Sequence, residues 1–212
     1  MSPKELLLKI TEAYQDARRP YQVDARIRRG RSHSVSSITE DLFALYLVSN
    51  DKTIDFVYVD QPVTFNSLKK IIYPDIVITR SGVVTALIDI KMDLGWNRNG
   101  LFDLCKKHHE VVKKIKCGEC HLKDGMTKKG EKKIFTVSKD ISYNVIIISN
   151  VNVSPLLLGS QLEQVRSLGP DVEVFILCDK GHPNSYDIEP NELIKKLGVN
   201  EAEFSRLRRK LS

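Results

Sequence analysis

Cysteine is scarce in this chain, and several common signatures are missing. Its 212 residues hold four cysteines, Cys105, Cys117, Cys120 and Cys178. The opening Met1-Ser2-Pro3-Lys4-Glu5 lacks the charged-then-apolar layout of a secretory signal, so a cytoplasmic location is expected. Without a secretory route, four cysteines argue against a disulfide framework. No apolar run approaches the roughly 18 residues that a membrane-spanning helix needs, so no membrane partner is expected. No internal repeat is visible.

What is present fits one globular domain with a core of its own. The chain is 42% hydrophobic and 28% charged, the balance of an ordinary folded protein. The net charge of +6 is modest, so its distribution matters more than its size. Arg18, Arg19, Arg26, Arg28, Arg29 and Arg31 cluster near the start, and lysines crowd residues 106–133. Such clusters suit a polyanion, because neutralised phosphates release counterions, and arginine is the better bidentate phosphate donor. Arg26, Arg28, Arg29 and Arg31, with Arg98 further on, are the candidate phosphate contacts, a solvated surface being the alternative.

Periodicity predicts a helix over 3–18 ended by Pro20, an Arg-rich loop over 20–36, and a helix starting near Ser36 or Ser37. Strands are predicted over 54–59, 71–79 and 83–92, followed by a helix over 101–116. Residues 117–142 read as a long loop or an inserted hairpin. Val145-Ile146-Ile147-Ile148-Ser149 reads as a fully buried strand. A helix near 155–168 and a strand over 172–177 complete the order. An antiparallel meander followed by β–α units predicts an α/β fold with a mixed central sheet flanked by helices. Two parts are expected: residues 1–188 as the main domain and 189–212 as a C-terminal helical hairpin.

The most informative stretch is Tyr73-Pro74-Asp75, an apolar run, then Leu87-Ile88-Asp89-Ile90-Lys91. Side chains at i and i+2 of a strand share a face, so Asp89 and Lys91 project together. Arg80-Ser81-Gly82 reads as a tight turn, which makes the two strands antiparallel neighbours and brings Asp75 toward Asp89. Two carboxylates and an ammonium then meet on a buried sheet. Such a cluster is costly unless a cation joins it, and oxygen-only ligands favour Mg²⁺. The alternative reading is a same-face salt bridge. Asp93 continues the face as an accessory acid.

Pro74-Asp75 with Asp89-Ile90-Lys91 resembles the PD-(D/E)xK motif of the restriction-endonuclease-like nucleases, over roughly residues 36–178. The resemblance implies an αβββαβ core and a metal-dependent DNA endonuclease, with Asp75 and Asp89 as ligands of Mg²⁺ or Mn²⁺ and the carbonyl of Ile90 as a further ligand. Lys91 would orient the attacking water or stabilise the transition state. The family often adds an acid on the preceding helix. Glu40 matches it, with Asp41 as rival and a capping box with Ser37 as the structural alternative. Some branches carry a glutamine on the helix after the motif, and residues 101–116 have none. Double-stranded DNA is the implied partner and a homodimer the implied assembly. Restriction-type cleavage is expected, with a structure-specific repair or recombination nuclease, or a catalytically inactive nucleic-acid-binding module, as alternatives.

Three secondary features stand beside the motif. Cys105, His109, Cys117 and Cys120 have the spacing C-x₃-H-x₇-C-x₂-C, a candidate structural zinc site whose alternative is four free thiols. A zinc-stabilised interaction domain is the corresponding rival function. Trp96 either packs under the next helix or stacks on a base. Residues 192–209 resemble a helix-turn-helix, with Asn200 as the second helix's cap; a hairpin packed on the main domain is the alternative.

Overall fold

The protein, seen in a computed structural model, is described over residues 1–23, 26, 34–95, 98–123, 132–185 and 188–212. Helices α1 (Pro3–Val23) and α2 (Ser36–Asn50) precede strands β1 (Phe56–Val59), β2 (Val63–Phe65), β3 (Ile71–Ile72), β4 (Ile76–Arg80) and β5 (Val83–Lys91). Then come α3 (Leu101–Ile115), β6 (Glu119–Lys123), β7 (Lys132–Ser149), α4 (Pro155–Arg166), β8 (Val172–Cys178), α5 (Pro190–Lys196) and α6 (Glu201–Leu211). The strands form one mixed sheet in the order β1-β4-β5-β7-β6-β2-β3, with β8 also on β7. No helix among the described residues is long and apolar enough to cross a membrane.

Period-two alternation divides the core between the two faces of the sheet. Ile76, Ile78, Ile88, Ile90, Ile146 and Ile148 face α1, α2 and α6, where they meet Leu6, Ile10, Phe43, Tyr46 and Phe204. Val77, Leu87, Val145 and Ile147 face α3 and α4, against Cys105, Val112, Leu158 and Val165. Each such side chain, fully buried, contributes on the order of 1.5–3 kcal/mol. Asp89 and Lys91 have the parity of Leu87 and so project on the α3 side.

β7 is the longest strand because its two halves serve different neighbours. Its first half pairs antiparallel with β6, and its second half pairs parallel with β8 on the same edge. β5 runs parallel along the other edge. The first half alternates exposed and half-buried residues as one side of a solvent-facing ribbon, whereas Val145–Ile148 is buried throughout. The sheet curls enough to bring Tyr58 of β1 within 5.9 Å of Phe135 of β7, ring centre to ring centre.

Three local expectations need correction. α1 does not stop before Pro20 but runs to Val23. Proline removes one hydrogen bond from a helix, and the packing of Leu6, Leu7, Ile10 and Tyr14 holds the rest. α2 has Val35 at its N-cap and no side-chain cap, so Ser37 and Glu40 form no capping box. The predicted strand over 71–79 is two, β3 and β4, broken at Tyr73-Pro74-Asp75; β3 pairs with β2, at the far end of the sheet from β4.

The C-terminal helices pack into the core. Leu193, Leu197, Phe204, Leu207 and Leu211 are buried with α1 and α2, and Tyr46 meets Phe204 edge-on at 5.5 Å. Asn200 caps α6 by accepting from the Glu203 amide at 3.2 Å. Gly198 has φ +64° and sits against Asp179 and Lys180, so a side chain there would collide with both. Arg206 of α6 reaches back to the sheet: it pairs with Glu173 at 2.6 Å and Glu203 at 2.8 Å, and its guanidinium lies 4.0 Å from the Phe175 ring centre.

Candidate active site

The β4–β5 hairpin builds the site. Ile76 opposes Ile88 and Val77 opposes Leu87, so continuing the register places Asp75 across from Asp89. The Asp75 carboxylate accepts a hydrogen bond from the Ile90 amide, which ties the end of one strand to the next. The Lys91 ammonium stands 3.6 Å from Asp89 Oδ2 and 3.9 Å from Asp75 Oδ2. Asp75, Asp89 and Lys91 are therefore brought together as the spacing predicts.

Asp89 is the most enclosed of the three, with its side chain 11% exposed. The Tyr143 hydroxyl donates to its Oδ1 at 2.9 Å. His108 Nε2 approaches its Oδ2 to 3.0 Å, though off the line of a well-aligned hydrogen bond. Burial alone would push this carboxyl up. The contacts from His108, Lys91 and Tyr143 outweigh burial and hold it below the usual carboxylate range. Burial and the Asp89 charge push the Tyr143 hydroxyl far up, so it remains a proton donor.

Asp75 and Glu40 shift the other way. Burial is the main cause for Asp75; Asp89 and Asp60 add to it, while the Ile90 amide and Lys91 oppose it. Burial also raises Glu40, followed by the charges of Asp75, Asp60 and Asp41. Glu40 on α2 thus lies within electrostatic range of this acidic cluster. Asp41 is exposed on the same helix.

The donor chemistry fits a hard cation. Glu40 and Asp75 are raised partly by neighbouring acids, a repulsion that a divalent ion relieves. Among the described residues, no three of His, Cys, Asp or Glu already stand grouped to hold a metal. Mg²⁺ does not need such a cage, because it is usually held by one or two carboxylates and completed by waters and substrate phosphates.

The other predicted residues are distributed as follows. Arg26 is exposed, and Arg28, Arg29, Arg31 and Trp96 lie outside the described residues. Arg98 is exposed just beyond β5, its Nε donating to the Gly95 carbonyl at 3.2 Å. With Asp93, Gly95 and Asn152 it lines a concavity of about 620 Å³. Asp93 lies 3.5 Å from His182 Nε2. Among the described residues, Cys105, His109, Cys117 and Cys120 contribute to no group of three poised to hold a metal. Cys117 is exposed in a left-handed turn (φ +57°), whereas Cys105, Cys120 and His109 are buried. Burial pushes the Cys105 and Cys120 thiols up to about 12.

Sequence reasoning missed His108, Tyr143 and Asp60. His108 sits one turn after Cys105 on α3, and that i, i+3 relation to a core position is the signal that could have found it. Tyr143 falls in the gap between the segment read as a loop or hairpin, which ends at 142, and the strand read from 145. Asp60 had no signal; its left-handed backbone (φ +47°) and its amide bond to the Asp75 carbonyl at 2.9 Å place it beside the site. No family model, curated protein or solved structure matches this chain.

Proposed function

We propose that this protein is a metal-dependent endonuclease of the PD-(D/E)xK type that hydrolyses phosphodiester bonds in double-stranded DNA. The observation that carries the reading is the convergence of Asp75, Asp89 and Lys91 at the end of a buried hairpin. Charges there are expensive without a task.

Phosphodiester hydrolysis needs a positioned water and relief of charge on the phosphoryl oxygens. Asp75, Asp89 and the Ile90 carbonyl would hold Mg²⁺ or Mn²⁺, and Glu40 would hold its water ligands. When bound, such an ion neutralises phosphoryl charge and acidifies water. Lys91, with its side chain 38% exposed, reaches solvent from between the two carboxylates. Its ammonium is free to donate to an attacking water or to a non-bridging phosphate oxygen. Lys106 and Lys107, exposed on α3, and Arg98 beyond β5 supply cationic surface for the flanking phosphates. Restriction-type cleavage is the form this reading favours, with a structure-specific repair nuclease as its nearest variant.

The test is incubation of the protein with supercoiled, linear and branched DNA in Mg²⁺, Mn²⁺ or EDTA, alongside Asp75→Asn and Lys91→Ala. Cleavage that needs the metal and disappears in both variants supports the reading, and the preferred substrate separates its two forms. DNA binding without cleavage, unaffected by either substitution, would replace it with a binding module.

A further inference from the structure

We infer that His108 and Tyr143 act as a coupled pair of positioning residues that fix the orientation of the Asp89 carboxylate for a divalent cation. The inference rests on the metal-dependent reading above, and nothing in the PD-(D/E)xK resemblance assigns either residue.

The geometry has three parts. The Tyr143 hydroxyl donates to Asp89 Oδ1 at 2.9 Å. His108 Nε2 stands 3.0 Å from Oδ2. The two rings stack on each other, 3.7 Å between centres and 14° from parallel. Tyr143 therefore does two things at once: it holds one carboxylate oxygen and braces the imidazole that approaches the other. Leu87 of β5 is paired with Tyr143 of β7, so the hydroxyl reaches Asp89 from the neighbouring strand, while His108 comes from α3 above the same face.

A carboxylate has about four lone-pair sites. Tyr143 takes one site on Oδ1 and His108 one on Oδ2, while Lys91 stands 3.6 Å from Oδ2, beyond hydrogen-bond range, so one site per oxygen stays open to a cation. With its rotation blocked at both ends, Asp89 presents those sites in one orientation and pays less ordering entropy on binding. His108 is itself enclosed, its side chain 12% exposed, and its Nε2 has no other partner among the described residues. A buried nitrogen aimed only at a carboxylate is explained by the control of that carboxylate.

Mn²⁺ binding to the full-length protein, measured by titration calorimetry without DNA, tests this. Tyr143→Phe deletes only the hydroxyl. His108→Phe keeps the stack but has no donor, and His108→Gln keeps a donor but loses the aromatic face. Loss of such supporting contacts typically costs about 10–100-fold in metal affinity. Tyr143→Phe and His108→Phe should each weaken Mn²⁺ by that range, with His108→Gln recovering part of the loss and all three melting cooperatively. The inference is overturned by wild-type affinity in His108→Phe, by a change under twofold in Tyr143→Phe, or by a wild type that binds no Mn²⁺. Mn²⁺ binding that is lost in Asp89→Ala and weakened in these variants, in a protein that cuts no DNA, would sink the nuclease reading and leave this one standing. Cleavage with unaltered Mn²⁺ affinity in the variants would do the reverse.

Discussion

Arg206→Met tests whether the C-terminal helices belong to the fold or read a ligand. Arg206 pairs with Glu173 and Glu203, donates to the Val174 carbonyl on the outer edge of β8, and lies over Phe175. Its side chain is 36% exposed, so solvent screens the ion pairs and each is worth about 0.5 kcal/mol. The guanidinium–ring contact adds about 1 kcal/mol. Lys210, 2.9 Å from Glu173, keeps that carboxylate partnered after the substitution. The loss should therefore total about 2 kcal/mol, the two ion pairs and the ring contact together. For a chain of this size that lowers Tm by about 4–8 °C. Thermal melts by circular dichroism at low and at 1 M salt provide the assay, and high salt should shrink only the ion-pair part. DNA binding should stay at the wild-type level. An unchanged Tm together with weakened DNA binding would refute the packing argument and restore the helix-turn-helix reading.

Further outcomes are expected. In EDTA, Asp75→Asn should raise Tm near neutral pH, because burial and neighbouring acids keep the Asp75 carboxyl above its ordinary range and ionising it costs stability; the advantage should fade as pH falls through that raised range and the wild type protonates. Asp89→Asn has the opposite sign, since the Asp89 carboxyl is held low. Its stabilisation is present above the unfolded carboxylate value and is lost as pH falls through the lowered one, so wild type and variant should converge only in acid. Mn²⁺ at 100 times its Kd should stabilise the wild type by about 2.7 kcal/mol, about 5–10 °C in Tm, and should not stabilise Asp75→Asn to that extent; equal shifts in a differential scanning experiment would contradict the ligand assignment. In a colorimetric thiol titration, exposed Cys117 should react promptly in the native protein, and the three buried cysteines only after denaturation; four fast thiols would contradict the burial.

The centre of the candidate site was legible in the sequence because it depends on two short-range rules. Strand alternation put Asp89 and Lys91 on one face, and the Arg80-Ser81-Gly82 turn folded Asp75 back toward them. What supports Asp89 was not legible, since His108 and Tyr143 arrive from separate elements through tertiary packing. The neighbouring Cys105 and His109 share a helix face and a zinc-like spacing, a pattern that His108 between them does not join. The first half of β7 escaped recognition because Lys132–Lys139 lies in a ribbon open to solvent and lacks the apolar run that marks Val145–Ile148. β2 was missed because it is three residues long and owes its place to pairing with β3 and β6, and β3, two residues long, was merged with β4 because only its pairing with β2 sets it apart. Glu40 had the spacing of a cap, yet α2 carries no side-chain cap, and the Glu40 carboxyl feels the charge of Asp75 instead.

The most direct measurement of the central claim is the single-turnover rate of Lys91→Met on end-labelled duplex DNA, with saturating protein and Mg²⁺ and with DNA affinity measured in parallel. The account predicts retained affinity and a cleavage rate lower by about 100-fold or more, the range typical of losing a group that acts on the reacting atoms. A variant that cuts at the wild-type rate would contradict it and leave Asp75, Asp89 and Lys91 as a same-face salt bridge.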